Sequence, residues 1–205
     1  VLTEYEYEIP ERILDKSKSL GIDYSSHDFY VDSQGRSPEN LHHYYRILQN
    51  KLAFHQRKLS HMIKGSNNYQ KQKVIIARIH EKISNQRKDF IEKESTRLAQ
   101  RYDIICLEDI NLRNISQSLK LGKSTLDNAF GMFRQKLEQK MSLEGKKVVK
   151  IDKWFPSSKM CRFCGCVNKD LKISDRVWTC GCGAILNRDE NAAINIMNEG
   201  LKQLA

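Results

Sequence analysis

The sequence predicts an α/β fold, a buried sheet with helices packed against it. Three observations carry that reading. Short apolar or β-branched runs, 20–23, 29–32, 103–109 and 147–152, alternate with segments of helical periodicity, the pattern of α/β proteins. The run Ile104-Ile105-Cys106-Leu107 is apolar at every position, as in a central strand covered on both faces. Acidic residues stand at strand ends, Asp23 and Glu108 among them, where open α/β sheets place their sites.

The elements follow in order. Residues 1–18 alternate Tyr and Glu and then pass through Pro10, the end of an edge strand leading into a linker. Leu20-Gly21-Ile22-Asp23 and Phe29-Tyr30-Val31-Asp32 are two strands, joined through the polar turn Ser25-Ser26-His27-Asp28 into a hairpin. Ser37-Pro38 reads as an N-cap followed by proline at the first helical position. Leu41, Tyr45, Leu48, Leu52, His55, Leu59 and Met62 then recur at steps of four and three, a long helix with one packed seam. Lys64-Gly65-Ser66-Asn67-Asn68 interrupts it. A second long helix spans 69–102, with Ile75, Ile79, Ile83 and Phe90 on one face. Together they form an antiparallel helical hairpin over 37–102. The buried strand 103–109 follows. Ser124 and Asp127 suggest a capping box for a helix to about Glu144, ended by Gly145. Lys147–Asp152 is another strand, and a helix over 191–204 closes the chain, with Ala193, Ile194, Met197 and Leu201 at helical spacing.

Charge is distributed unevenly. Between Ser37 and Tyr102 there are 14 Lys/Arg against 5 Asp/Glu, net +9 of the chain's +10, and five of the six histidines. A basic arm of this kind implies a polyanionic partner, most economically a phosphate backbone. No run of about 18 apolar residues occurs, so no membrane-spanning helix is expected. The first residues lack the basic and apolar stretches of a signal peptide. They also lack an initiator Met, so a fragment or processed product is expected.

Without a secretion signal, clustered cysteines are metal ligands rather than disulfides. Cys161-Arg162-Phe163-Cys164 and Cys180-Gly181-Cys182 flank a 15-residue loop, a zinc-ribbon spacing. Four thiolates close a tetrahedral site, leaving no position open for water. One structural zinc is therefore expected on Cys161, Cys164, Cys180 and Cys182, with Cys166 as a possible competitor. Cys106, mid-strand, reads as a small core residue. Lys159, Arg162, Lys169, Lys172 and Arg176 make the ribbon a candidate nucleic-acid contact.

Asp23 ends the first strand, Glu108 the central one, and Asp189 opens the last helix. Singly each has an ordinary structural role open to it: a turn residue, a strand end, an N-cap. Together they meet the requirement of two-metal phosphodiester hydrolysis, carboxylates brought from separate elements to two divalent ions.

At this point the sequence resembles a family. Leu20-Gly21-Ile22-Asp23, Ile105-Cys106-Leu107-Glu108-Asp109-Ile110-Asn111, Phe155-Pro156-Ser157-Ser158-Lys159-Met160-Cys161 and Arg188-Asp189-Glu190-Asn191-Ala192-Ala193 resemble, in order, motifs of the TnpB proteins of bacterial insertion sequences, relatives of the type V CRISPR effector nucleases. Asn85-Gln86-Arg87-Lys88-Asp89-Phe90 also fits. The resemblance implies an RNase H-like (RuvC-like) core at 19–155 interrupted by the helical hairpin, a zinc ribbon inserted at 156–186, and a last RuvC-like segment with the C-terminal helix at 187–205. It implies Mg²⁺-dependent cleavage of target DNA under a guide RNA, with two magnesium ions held by Asp23, Glu108 and Asp189 as the catalytic carboxylates. It further implies a cytoplasmic protein of bacterial, phage or mobile-element origin. Family members run to roughly twice this length, so residues 1–18 are expected to be the tail of an N-terminal domain. Two motifs depart from the pattern: Tyr24-Ser25-Ser26 replaces the usual Leu-Gly, and the second cysteine pair is one residue short. A guide-directed DNA-binding protein without activity, and a transposition accessory protein, are the competing readings.

Overall fold

The computed structural model describes residues 6–38, 44–110 and 129–204. Its centre is a four-stranded sheet of β1 (Ser19–Ser25), β2 (Phe29–Asp32), β3 (Ile104–Glu108) and β4 (Lys147–Ile151), in the order β2-β1-β3-β4. β1 and β2 form the expected antiparallel hairpin, while β1–β3 and β3–β4 are parallel. The helices are α1 (Tyr44–Ser60), α2 (Asn67–Arg101), α3 (Phe130–Leu143) and α4 (Arg188–Lys202). A separate two-stranded sheet pairs β5 (Val177–Thr179) with β6 (Ile185–Asn187).

The all-apolar β3 is explained by two distinct cores. Ile105 and Leu107 face one side, with Leu20, Ile22, Phe29 and Tyr30, under α2 (Phe90, Ile91, Leu98) and α3 (Phe133, Leu137, Met141). Ile104 and Cys106 face the other, with Val149, Ile151 and Ile196 of α4. Burying such a strand on both faces contributes about 2 kcal/mol per large side chain. Cys106 is fully buried, as expected of a core residue, and its thiol is pushed up to about 12 by burial.

α4 lies close on the sheet because a glycine stands on each side of the contact, Gly21 in β1 and Gly200 in α4 itself. A Cβ at Gly21 would collide with the Ala193 carbonyl oxygen and stand 2.8 Å from Met197 Cβ. One at Gly200 would collide with the Cys106 side chain.

The helical hairpin is present, and α2 does two jobs. Ile79 and Ile83 pack on Leu48 and Leu52 of α1, and the buried Gln72 bonds to His55 Nδ1 and its carbonyl, each at 2.9 Å. Phe90 instead joins the sheet core, so the C-terminal third of α2 belongs to the main domain. Ile75 is 38% exposed and Ile76 takes its place in the hairpin core, one position off the expected face. Ser66 caps α2 through the Tyr69 N–H.

The α3 N-cap is Ala129 in a left-handed conformation, with no side-chain cap. The expected Ser124/Asp127 box lies outside the described residues. So do Leu41, the Tyr45 side chain and the residues just after Ser37-Pro38. The last helix starts at Arg188 rather than Asn191, because Asn187 caps it. Among the described residues no helix is long and apolar enough to cross a membrane.

Candidate active site and zinc centre

The parallel register sets the first two acids side by side. Ile22 pairs with Leu107, so Asp23 and Glu108 are the next residues on the two central strands; Glu108 ends β3 as expected, whereas β1 runs two residues past Asp23 to pair with β2. Asp189 reaches them from the first turn of α4. Its backbone N–H and that of Glu190 are both satisfied by Asn187 Oδ1, at 3.1 Å. Asp189 therefore is not the N-cap, and its carboxylate is free for other partners.

All three acids line one cavity of about 430 Å³. Lys153, Lys159, Lys172, Arg176 and Arg188 line it too, five cations around three carboxylates. Asp23 is held well above the usual carboxylate range by burial first, then by the charges of Glu108 and Asp189. Burial also raises Glu108, against a hydrogen bond from Ser157 Oγ to its Oε1. Asp189 is taken up by guanidinium groups: Arg176 Nη1 lies 2.7 Å from Oδ2 and Arg188 Nη2 lies 2.9 Å from Oδ1. Two buried carboxyls raised in this way, Asp23 and Glu108, are the electrostatic state that a bound cation relieves. Hard oxygen donors of this kind suit Mg²⁺ or Mn²⁺.

The cysteines form a second centre. The sulfurs of Cys161, Cys164, Cys180 and Cys182 all lie within 4.8 Å of one another. Cys161–Cys182 is 3.8 Å and Cys164–Cys180 is 3.5 Å. A tetrahedron with Zn–S near 2.3 Å has edges of about 3.8 Å, so the residues fit that ion. Among the described residues this is the one group of Cys, His or carboxylate ligand atoms that converges so tightly. The three carboxylates share a cavity without doing so.

Each knuckle turns on a glycine at positive φ. Gly165 (φ 73°) donates to the Cys161 carbonyl and Gly183 (φ 89°) to the Cys180 carbonyl, both at 2.9 Å. The one-residue-shorter C-x-C pair closes as well as the longer one. Burial raises the Cys161 thiol, but the backbone N–H groups of Cys164 and Phe163 and the neighbouring thiols of Cys164 and Cys180 outweigh it and lower it, while Cys164 and Cys180 are raised in turn, as in a cluster of sulfurs sharing protons. Cys166 lies outside the cluster and contributes its carbonyl to the Cys161 N–H instead. Leu171, Trp178 and Leu186 complete a small ribbon core.

The two centres are joined through α4. Asn191 Nδ2 donates to the Met160 carbonyl at 2.7 Å, and its Oδ1 accepts from Arg162 N at 3.0 Å. Asn195 Nδ2 donates to the carbonyls of Ser157 (2.8 Å) and Met160 (2.6 Å). Glu190 pairs with Arg162 at 2.7 Å. The helix that carries Asp189 thus grips the chain on both sides of Cys161. Sequence reading assigned no role to Ser157, Asn191 or Asn195. The one available signal is that Asn191 and Asn195 stand four residues apart, on one face of a helix, where their burial demands partners.

Residues 3–119 match the family model OrfB_IS605, described as "Probable transposase", and residues 130–196 match the model "Cas12f1-like, TNB domain". Similar proteins include "Putative RNA-guided DNA endonuclease" of Streptomyces pristinaespiralis and "Putative RNA-guided DNA endonuclease InsQ" of Escherichia coli (strain K12). The one from Streptomyces pristinaespiralis is 40% identical over 183 residues, covering 89% of this chain and 45% of its own. The one from Escherichia coli (strain K12) is 32% identical over 173 residues, covering 77% and 43%. TnpB-like protein L79 of Acanthamoeba polyphaga mimivirus is 34% identical over 134 residues, covering 62% and 25%. The chain therefore spans less than half the length of these relatives. Among solved structures, a CRISPR-Cas12f ternary complex matches 94% of this chain and 41% of its own with a TM-score of 0.67. A Cas12f1–sgRNA–target DNA complex matches 92% and 40% with a TM-score of 0.63. Both are 20% identical in sequence, a likeness of fold.

Proposed function

The chain belongs to the TnpB family, and on that premise we propose that it is the nuclease portion of an RNA-guided DNA endonuclease. The observation that carries the proposal is the arrival of Asp23, Glu108 and Asp189, from two strands and a helix, in one cation-rimmed cavity. The core at 19–155 is read as RuvC-like, with the hairpin at 37–102 and the ribbon at 156–186 as insertions and 187–205 as the last segment. Two divalent ions held by the three acids would supply an activated water and charge neutralisation for phosphodiester hydrolysis.

The chain's own residues prepare that chemistry. Asp23 and Glu108 present adjacent carboxylates from a rigid ladder. Asn187 satisfies the N-terminus of α4 so that Asp189 can face the cavity. Ser157 engages one oxygen of Glu108 and leaves the other available. Lys153, Lys159, Lys172, Arg176 and Arg188 offer the cavity rim to a phosphate backbone. The basic α1–α2 hairpin suits sequence-independent contact with nucleic acid, while guide pairing reads the target. The ribbon holds one structural zinc on Cys161, Cys164, Cys180 and Cys182.

The test is Mg²⁺-dependent cleavage by the full-length chain with its guide RNA, set against Asp23→Ala, Glu108→Ala and Asp189→Ala. Cleavage that survives all three substitutions contradicts the assignment. One observation favours a second reading, a guide-directed DNA-binding protein that does not cut: Asp189 is already neutralised by two arginines. Target binding without cleavage at saturating Mg²⁺ would select it.

A further inference from the structure

We propose that Ser157 is a positioning residue for Glu108, and that the first zinc knuckle holds it in place through Asn195. The inference rests on the reading of Asp23, Glu108 and Asp189 as a divalent-cation site.

The geometry runs through a short buried path. Ser157 is 6% exposed, and its hydroxyl donates to Glu108 Oε1. A glutamate at a strand end can rotate about three side-chain bonds. Tying one oxygen to a fixed hydroxyl aims the other into the cavity, as outer partners of metal ligands do. Ser157 is itself fixed by its carbonyl, which accepts from Asn195 Nδ2 at 2.8 Å. The same amide nitrogen donates at 2.6 Å to Met160, the residue before Cys161. Asn191, fully buried, holds Met160 again at 2.7 Å and accepts from Arg162 N on the other side of that cysteine. Pro156 closes the segment, its carbonyl accepting from Met160 N at 2.9 Å.

A displacement of the Cys161 knuckle therefore moves Met160, the Asn195 amide and Ser157 together. The side chain released at the end of the path is Glu108. A ribbon serving only as a binding appendage would need no such path to a strand-end carboxylate. Asn191 and Asn195 also lie on the helix that carries Asp189 in its first turn, so the knuckle bears on two of the three acids.

The experiment measures Mn²⁺ affinity by EPR titration of the purified, zinc-loaded chain, with thermal midpoint and zinc content recorded for every variant. Asp23→Ala tests the underlying reading: it should abolish Mn²⁺ binding, and retention of wild-type affinity would overturn both claims. Ser157→Ala should weaken Mn²⁺ by about tenfold or more with zinc still bound, and Ser157→Thr, which keeps the hydroxyl, should restore it. Cys164→Ser, a change at an exposed ligand, should weaken Mn²⁺ in the wild-type background and add little in Ser157→Ala. Unchanged affinity in Ser157→Ala, with Asp23→Ala still abolishing binding, would overturn the proposal alone. Equal losses from Cys164→Ser in both backgrounds would overturn the link to the knuckle. Should Cys164→Ser not fold, the Ser157→Ala and Ser157→Thr pair still decides whether Ser157 positions Glu108.

Discussion

Asp23 and Glu108 stand side by side across a parallel ladder, one residue beyond the Ile22–Leu107 pair. Both carboxyls are raised: Asp23 by burial first and then by the charges of Glu108 and Asp189, and Glu108 by burial. The folded, metal-free chain thus keeps protons that the unfolded chain gives up. Its stability from these groups is full below the ordinary carboxylate range, near pH 4 and lower, and is lost as pH rises toward the raised folded values. Asp23→Asn should therefore stabilise the metal-free chain near neutral pH. It should also flatten the pH dependence of unfolding. Urea titrations from pH 4 to 8 with EDTA measure this, and equal or lower stability of the variant at pH 7 contradicts it. Mg²⁺ should stabilise the wild type and not the variant.

Gly21 sits two residues before Asp23 and under α4, where an added Cβ meets Ala193 and Met197. Gly21→Ala should cost about 3 kcal/mol or more, as overpacking at a backbone contact does. Because the first turn of α4 carries Asp189, cleavage by the full-length chain should fall at temperatures where the variant remains folded. Circular dichroism melting alongside a cleavage assay separates the two effects.

Much of this architecture can be read in the residues. The strands announce themselves by apolar runs, and β3 by the absence of any polar alternation, since both its faces are covered. The long helices follow from heptad-like spacing, although Ile76 rather than Ile75 enters the hairpin core because a small error in helical phase accumulates over several turns. A local rule failed where two residues could do the same job. Asp189 looked like an N-cap, but Asn187 takes that role two residues earlier. The Ser157–Glu108 and Asn195–Ser157 bonds join residues 49 and 38 positions apart. Only tertiary packing reveals such pairs, and no spacing rule encodes them.

The cysteine cluster predicts one zinc per chain, with Cys166 outside it. Metal analysis of the folded protein should give a stoichiometry of one. Cys166→Ser should leave zinc content and melting unchanged, whereas Cys180→Ser should release the ion and unfold the ribbon, since a structural zinc contributes directly to folding. Loss of zinc on Cys166→Ser would show that the ligand set is different.

Arg176 reaches Asp189 across the cavity although its own side chain is 62% exposed. An exposed pair of this kind is worth less than about 1 kcal/mol. Removing it with Arg176→Ala should therefore tighten Mn²⁺ binding by no more than about fivefold, by withdrawing one competing cation while Arg188 remains. EPR titration at low and high salt checks this, and the gain should shrink as salt screens the pair. Weaker Mn²⁺ binding in the variant would mean that Arg176 helps to build the site.

The most direct measurement is cleavage of a guide-matched DNA duplex by the full-length chain, with its guide RNA and Mg²⁺, for the wild type and for Asp23→Ala, Glu108→Ala and Asp189→Ala. The expected result is cutting by the wild type alone, with EDTA abolishing it and target binding retained by all three variants. Cutting that persists in the three variants, or a wild type that binds target and never cuts, would contradict the assignment of these acids as the nuclease centre.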